Sequence, residues 1–259
     1  MSVMQPKVGL FITCLVDAMR PSIGFASIKL LEQAGCIVKV PRLQTCCGQP
    51  AYNLGDKKDT KELARKIIDL FADFDYLVVP SGSCAGMIRM HYPQLFADDP
   101  DMSLKAHHLA ARTYELTTFL VDVCNFTNID AHYTGIIGYH DSCAGLRELN
   151  VKKQPRQLLH RVKGCQFKPL SDAETCCGFG GTFCMKYADI SNEMVAKKTA
   201  CIRKSGVDTL VAGDLGCLLN IAGKLLREKS HIKCYHVAEI IAGNTGDIAP
   251  IGMSEHADH

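Results

Sequence analysis

Short apolar runs alternate along the chain with segments whose apolar positions recur at helical spacing. Runs typical of buried strands occupy residues 8–13, 36–40, 76–79, 134–140, 164–167, 207–212 and 232–235. Helical spacing occurs at 21–35, 56–71, 103–123, 190–204 and 217–226. Because strands and helices take turns in this way, the pattern predicts an α/β fold with mostly parallel sheets.

The pattern runs through the chain twice. Cys14 and Cys143 are 129 positions apart, and Cys36 and Cys165 are separated by the same 129. The remaining matched pairs are Cys46 with Cys176, Cys47 with Cys177, and Cys84 with Cys217. We therefore expect two Rossmann-like halves of one plan, related by a pseudo-twofold axis. The predicted domains are residues 1–130, which include a long connecting helix at 103–123, residues 131–243, and a mobile tail at 244–259.

Composition narrows the function. The 259 residues carry a net charge of only +2, which gives no reason to expect nucleic acid as a partner. No apolar run approaches the roughly 18 residues that span a bilayer, and residues 1–7 show no signal-peptide pattern, so we expect a cytoplasmic protein without a transmembrane segment. The chain has 14 cysteines. In a reducing compartment these favour metal binding or redox chemistry over a disulfide framework.

Two loops concentrate the cysteines. Each contains the sequence Thr-Cys-Cys-Gly, at residues 45–48 and 175–178. Adjacent cysteines bond to each other only with strain, whereas two thiolates can face one metal centre while glycine lets backbone amides approach the sulfurs. Further cysteines follow other strands of each half. Because the carboxyl ends of parallel strands meet at one edge, each half gathers four thiols there.

These two sets are the candidate metal ligands. The first consists of Cys14, Cys46, Cys47 and Cys84, and the second of Cys143, Cys176, Cys177 and Cys217. Four thiolates match a [4Fe–4S] cluster, so we expect one or two such clusters per chain. Zinc is the alternative, since it also accepts four thiolates, although the close CxxC pairs typical of zinc sites are absent.

Other candidates carry weaker signals. Cys184 lies in the glycine-rich loop after the second pair and is a candidate neighbour of a cluster. His140 precedes Cys143 and is a candidate hydrogen-bond partner of cluster sulfur, with a surface loop histidine as the alternative. The remaining cysteines fit buried structural positions: Cys36, Cys124, Cys165, Cys201 and Cys234. Residues 178–181 are glycine-rich but lack the lysine of a phosphate loop, and the sequence shows no nicotinamide or flavin fingerprint.

Tandem motifs of this kind resemble the CCG, or cysteine-rich, domain family, which includes the B subunit of heterodisulfide reductase and the iron–sulfur subunit of glycolate oxidase. The stretches 11–17, 46–53, 80–84, 175–183 and 216–221 are similar to lactate-utilisation members of this family, and the resemblance runs from about residue 7 to 242. Heterodisulfide reductase has a further cysteine three positions after the last one of its motif. Met87 and Asn220 stand at those positions here.

The resemblance implies an iron–sulfur electron-transfer subunit of a complex that oxidises L-lactate to pyruvate. Its implied partners are the other lactate-utilisation subunits, a ferredoxin-like iron–sulfur B subunit and a C subunit. Two alternatives stay open at this point. One is a cluster-based disulfide or thiol reductase of the heterodisulfide reductase type, and the other is a zinc-stabilised binding module without redox activity.

Overall fold

Two four-stranded sheets, one in each half, form the framework of the structure, a computed structural model that describes residues 5–246 and 248–253. All pairs of neighbouring strands in both sheets are parallel. In each sheet the strands lie side by side in the order second, first, third and fourth along the chain of that half, so the second sheet repeats the topology of the first. The predicted α/β fold with two similar halves is confirmed.

The first half begins at β1 and ends before residue 130. Its elements are β1 (Lys7–Leu10), α1 (Cys14–Met19), α2 (Ser22–Gln33), β2 (Ile37–Lys39), α3 (Gln49–Asn53), α4 (Lys57–Leu70), β3 (Tyr76–Val79), α5 (Gly82–Gly86), a π-helical turn (Met87–His91), α6 (Tyr92–Leu95), α7 (Pro100–Ala111), β4 (Thr113–Glu115), α8 (Leu116–Thr118) and a second π-helical turn (Phe119–Val123).

The second half follows the same order of sheet elements. Its elements are β5 (His132–His140), α9 (Cys143–Leu149), α10 (Lys153–Leu159), β6 (Lys163–Phe167), α11 (Phe183–Lys186), α12 (Ala188–Ser205), β7 (Thr209–Ala212), α13 (Leu215–Arg227), β8 (Lys233–His236) and α14 (Val237–Ile241).

The central strands of each sheet are buried because helices cover both faces. In β3, Leu77, Val78 and Val79 are fully buried, and all four residues of β7 are buried. Such continuous apolar runs are what a parallel sheet requires, since neither face meets water. The strand that follows β1 in the chain lies on one side of it and the next strand lies on the other side, and β5 is placed in the same way in its sheet. The carboxyl edge between β1 and β3, and that between β5 and β7, is therefore a topological switch point. Ligands bind at such points in open parallel sheets.

The predicted continuous helix at 103–123 is wrong. Helix α7 ends at Ala111, and β4 then pairs with β3, matching Thr113 to Leu77 and Glu115 to Val79. Thr113 and Glu115 are buried while Tyr114 between them is partly exposed, which is strand alternation. Three residues are too few to interrupt a helical pattern visibly, and edge pairing with β3 decides the conformation.

The halves pack through closely approaching backbones. Helix α5 of the first half lies against α9 of the second, and a Cβ added to Gly82 would lie 2.8 Å from the Cα of Gly145. Asp214, the residue before α13, reaches across the same boundary. Its carboxylate accepts hydrogen bonds from the Ser83 amide at 3.0 Å and from the Ser81 hydroxyl at 3.2 Å. It therefore caps the helix of the other half and makes no side-chain bond to its own helix.

Part of the segment predicted as a mobile tail contacts the second half. Ile251 is buried, and its amide donates to the carbonyl of Cys234 at 2.9 Å. The Tyr235 hydroxyl donates to the Ile248 carbonyl. Residues 247 and 254–259 of that segment lie outside the described residues. Among the helices the structure describes, none is long and apolar enough to cross a membrane.

Candidate metal centres

The first cysteine set converges at the carboxyl edge of β1, β2 and β3. Cys14 opens α1 directly after β1, and Cys84 lies in the first turn of α5 directly after β3. Cys46 and Cys47 lie in the loop after β2. The thiols of Cys14 and Cys47 both hydrogen-bond to the sulfur of Cys46, and Cys47 also contacts Cys84. All four predicted ligands are therefore brought together.

The second set repeats this arrangement at β5, β6 and β7. Cys143 opens α9, and Cys217 lies in the first turn of α13. Cys143 and Cys177 hydrogen-bond to the sulfur of Cys176, and Cys177 contacts Cys217. The same four positions of the repeat thus meet in each half.

The glycine after each cysteine pair serves the sulfur of the first cysteine. The amide of Gly48 donates to Cys46 Sγ, and the amide of Gly178 donates to Cys176 Sγ, both at 3.4 Å. The loop turns back to allow this with φ of +85° at Gly48 and +81° at Gly178. Side chains rarely adopt such φ values, so this position requires glycine. Amide donors of this kind stabilise negative charge on sulfur.

The electrostatics of the two sets also match. Hydrogen bonds from neighbouring thiols, with the glycine amide, lower the pKa of Cys46 from 9.0 to about 3 and that of Cys176 to about 2. The neighbouring thiols donate these hydrogen bonds. Donation and burial raise the pKa values of Cys14, Cys47, Cys143 and Cys177. The first cysteine of each pair therefore favours the thiolate form that metals bind.

His140 lies at the back of the second set. It is the last residue of β5 and fully buried, rather than a surface loop residue. One of its ring nitrogens lies within 4.8 Å of the sulfurs of Cys177 and Cys217. Its Nδ1 is 3.2 Å from the Ala173 carbonyl, so Nδ1 carries the proton, and Nε2 has no hydrogen-bond partner among the described residues. Burial, with the nearby Lys198 ammonium, lowers the pKa of His140 from 6.5 to about 3, which keeps the ring neutral.

A cavity of about 300 Å³ adjoins the first set. The four cysteines form its floor, and the glycine-rich loop of the second half supplies Phe179, Cys184 and Met185 to its wall. Cys184 thus lies beside the first cysteine set, where its thiol donates to the Gly181 carbonyl at 3.4 Å. The lining is mostly apolar, so the structure shields this site from water on the side of the second half.

A larger and more open groove of about 510 Å³ adjoins the second set. It reaches Cys176 at its base and is lined by Leu54, Phe183, Lys186, Tyr187 and Met194, among others. Thr182 of the glycine-rich loop lines both this groove and the cavity of the first set. One loop therefore separates the two sites.

The carbonyl of the second cysteine in each pair is held by different residues in the two halves. The Tyr92 hydroxyl donates to the Cys47 carbonyl at 2.8 Å, and the Asn220 side-chain amide donates to the Cys177 carbonyl at 2.8 Å. Met87, at the position that matches Asn220, is fully buried in the core of the first half. Met87 therefore packs in the core of the first half.

The cysteines predicted to be structural line neither the cavity of the first set nor the groove of the second. Cys36 and Cys234 are buried, while Cys124, Cys165 and Cys201 are partly exposed. Cys36 and Cys124 contact each other, since the Cys124 thiol donates to Cys36 and lowers its pKa.

The sequence reasoning missed Ser81 and Asp214 as contributors to the first site. Both stand three positions before the last cysteine of their motif, and Ser81 caps its own helix by accepting from the Cys84 amide. Residues of these types before a helix are recognisable as caps. That Asp214 caps the other half could not be read from local sequence.

The donor chemistry fits an iron–sulfur centre in each half. Four thiols converge, a glycine amide donates to one sulfur of each set, and two of the four cysteines of each half stand at strand-to-helix turns. Helix N-termini favour the thiolate form that metals bind.

Comparison with known proteins agrees with the repeat. The family described as Cysteine-rich domain (CCG) matches residues 8–89 and again residues 137–222. Lactate utilization protein A of Geobacillus kaustophilus is 48% identical over 235 residues, covering 91% of this chain and 98% of that protein. Lactate utilization protein A of Bacillus subtilis is 46% identical over the same shares.

A solved structure supports the fold. The crystal structure of a hypothetical protein from Helicobacter pylori aligns with 96% of this chain and 52% of that one, with a TM-score of 0.66 and 11% identity. The duplicated family match, the matched cysteine sets and the curated relatives together assign the chain: it belongs to the CCG cysteine-rich domain family and is similar over most of its length to proteins named lactate utilization protein A.

Proposed function

We propose that the chain holds a [4Fe–4S] cluster in each cysteine set and serves as an electron-transfer subunit of a cytoplasmic complex that oxidises L-lactate to pyruvate. The observation that carries the proposal is the convergence of four thiols twice, each time with a glycine amide bonded to the sulfur of the lowest pKa. An iron–sulfur cluster supplies reversible one-electron storage when it is bound by such a set.

The residues of this chain have separate tasks in that role. The first set would be Cys14, Cys46, Cys47 and Cys84, and the second would be Cys143, Cys176, Cys177 and Cys217. The amides of Gly48 and Gly178 donate to sulfur and so stabilise the more negative, reduced state. The buried, neutral His140 and the partly exposed Cys184 adjust the surroundings of the second and the first set, respectively.

The substrate class comes from the relatives. Oxidation of lactate to pyruvate releases two electrons and two protons, whereas a cluster ordinarily takes one electron at a time. The sequence has no nicotinamide or flavin fingerprint that would accept the pair. We infer that other subunits, a ferredoxin-like iron–sulfur B subunit and a C subunit, receive the electrons or deliver them, and that two clusters here extend the relay.

One observation favours a second candidate function. The 300 Å³ cavity over the first set could admit a small disulfide, as in a cluster-based thiol reductase. The absence of the additional cysteine at Met87 and at Asn220 speaks against the five-cysteine type of centre used by heterodisulfide reductase.

Metal analysis tests the proposal directly. Anaerobically purified protein should contain about eight irons and eight sulfides per chain and show the electron paramagnetic resonance of reduced clusters after addition of dithionite. Stoichiometric zinc without iron, even after anaerobic reconstitution with iron and sulfide, would contradict it.

Activity separates the two redox roles. The isolated chain should not reduce an artificial acceptor with lactate, while the complex reconstituted with its partner subunits should do so. Steady disulfide reduction by the isolated, iron-loaded chain would replace the electron-transfer proposal with the reductase.

A further inference from the structure

Helix α12 borders two neighbouring surface features. Its N-terminal part and the turn before it contribute Tyr187 and Met194 to the groove that reaches Cys176. Its C-terminal part contributes Lys197 and Lys204 to a second groove, of about 580 Å³. We call these two grooves and the helix between them the α12 surface. Lys197 lies one helical turn beyond Met194, so the two grooves adjoin along the helix.

The N-terminal part of the α12 surface exposes apolar side chains beside the Cys176 groove. Tyr187 and Leu54, which both line that groove, are 55% and 47% exposed, and Ile190 on α12 is 55% exposed. Apolar side chains grouped in this way around a groove mark interaction sites rather than ordinary surface.

The C-terminal part is basic. Lys168, Lys197 and Lys204 line its groove, while Asp172 is the one carboxylate among the lining residues. Within residues 5–246 and 248–253, none of these three lysines forms an ion pair or a side-chain hydrogen bond. Lys152 and Lys224, elsewhere in the second half, are paired with carboxylates. The groove therefore holds a local excess of positive charge.

We propose that the α12 surface is the docking site of an acidic electron-carrier protein, with apolar contacts over the Cys176 groove and carboxylates seated among the three lysines. The identity of the occupant as a protein follows from the combination. An apolar patch beside a charged groove is the anatomy of a protein interface, and the charge excess selects an acidic partner.

Docking at the α12 surface gives an electron a route from the second cysteine set to the carrier protein. It rests on the proposed function: a cluster held by Cys143, Cys176, Cys177 and Cys217 would supply one electron, and the oxidised carrier docked on the α12 surface would accept it. Cys176 lines the groove, so a carrier docked there would lie over the edge of the second set.

Binding of a defined carrier tests the surface. An acidic plant-type [2Fe–2S] ferredoxin is titrated into the anaerobically purified chain by calorimetry at low and high salt, with the basic protein cytochrome c in a parallel titration. We expect ferredoxin to bind, its affinity to fall steeply with salt, and cytochrome c to show no binding.

The double variant Lys197→Glu/Lys204→Glu should weaken ferredoxin binding at least about tenfold. Tyr187→Asp should weaken it as well, with less effect on the salt dependence.

The matched control carries the same change of charge elsewhere. Lys39→Glu/Lys153→Glu replaces two exposed lysines on β2 and at the start of α10, outside the α12 surface, and should retain at least half of the wild-type affinity. Circular dichroism confirms that each variant is folded. Equal weakening by both double variants, equal binding of cytochrome c, or preferential retention of single-stranded DNA by the lysine groove would overturn the proposal.

The outcome is separable from that of the proposed function. Ferredoxin binding that depends on Lys197 and Lys204 in protein free of iron would leave the docking surface standing and the cluster proposal refuted. Iron-loaded protein whose ferredoxin binding is unchanged by Lys197→Glu/Lys204→Glu would leave the cluster proposal standing and refute the docking surface.

Discussion

The two halves of the molecule share a frame and differ in what surrounds it. Both bring four cysteines to the same edge of a parallel sheet and bond a glycine amide to the first sulfur of the pair. The first set then faces a smaller, less open apolar cavity walled in part by the other half, whereas the second adjoins a more open groove and has His140 buried behind it. The position that matches His140 in the first half is Phe11 (140 − 129 = 11), also fully buried.

The comparison shows that the arrangement of the four cysteines and the environment around them vary independently. Strand ends and helix starts fix the cysteines, and the same backbone plan serves twice. Solvent access, nearby charge and the hydrogen bonds to the loop are set by side chains outside the frame. In iron–sulfur proteins these surroundings tune the reduction potential, so we expect the two sites to have unequal potentials.

The largest effect should follow from removing one ligand in either half. Cys47→Ser and Cys177→Ser should each lower the iron content by about four atoms per chain, because the hydroxyl is a weaker match for iron than a thiolate. Iron and sulfide analysis with electron paramagnetic resonance distinguishes the remaining cluster. Cys234→Ser is the control, since this buried thiol lies in neither set. It should retain iron while losing about 1–3 kcal/mol of unfolding free energy.

If both ligand variants lost all iron, the sites would not be independent. If neither lost iron, the ligand assignment would be wrong even if the protein contained clusters.

A smaller effect should follow from changing Asp214, a residue of the second half that supports the first site. Asp214→Ala leaves the Ser83 amide and the Ser81 hydroxyl of the first half without their buried acceptor, which should cost about 2–3 kcal/mol of unfolding free energy. In the Cys177→Ser background, where only the first site holds iron, the variant should lose iron to a chelator faster. Asp130→Ala removes an exposed member of an ion pair with Lys163 and should change stability much less than Asp214→Ala does. Unchanged chelator kinetics would remove Asp214 from the support of the first site.

The third prediction concerns pH and the second half alone. The pKa of His140 is about 3 in the folded chain and 6.5 ordinarily. Below pH 6.5 the unfolded chain binds a proton that the folded chain refuses, so stability is full above pH 6.5 and is lost as the pH falls toward 3. The loss has a slope of at most about 1.4 kcal/mol per pH unit, or up to about 2 kcal/mol at pH 5. His140→Phe, which installs the residue of the first half, should flatten this slope.

Urea unfolding at pH 7 and pH 5 measures the change. His108→Gln, an exposed histidine of α7, should keep the wild-type slope. A His140→Phe protein that loses as much stability as the wild type between these pH values would show that the buried imidazole is not the group responsible.

The smallest effects should come from the two hydrogen bonds that hold the cysteine-pair loops. Tyr92→Phe removes the donor to the Cys47 carbonyl, and Asn220→Ala removes the donor to the Cys177 carbonyl. Each should cost about 1 kcal/mol and speed iron loss only from its own half. Chelator kinetics in the Cys177→Ser and Cys47→Ser backgrounds, respectively, resolve the halves. An effect of Tyr92→Phe on the second site would show that the loops are coupled.

Much of the fold was predictable because its signals are local. Apolar runs marked seven of the eight strands, Asp56 marked the start of α4 with its bond from the Asp59 amide, and cysteine spacing revealed the repeat. Strand β4 was missed because three residues inside a helical pattern leave no period to detect, and only pairing with β3 reveals it.

The meeting of the four cysteines of each set was predictable from the sequence, whereas their surroundings were not. Cysteines at strand ends meet wherever a parallel sheet forms, so each set of four followed from topology. The cap from Asp214 and the position of Cys184 at the first cavity depend on how the halves pack against each other, which no local pattern encodes.

The bond from Asp214 to Ser83 also sets an order of events during synthesis. The first half emerges from the ribosome with its four cysteines, but the residue that caps α5 and the loop that closes the cavity follow much later. Between Cys84 and Cys217 lie 133 positions (217 − 84), which take roughly 7 to 27 s to translate. During that interval the nascent first site stands open to water and oxygen. We therefore expect its metal to be inserted after release of the chain rather than on the ribosome.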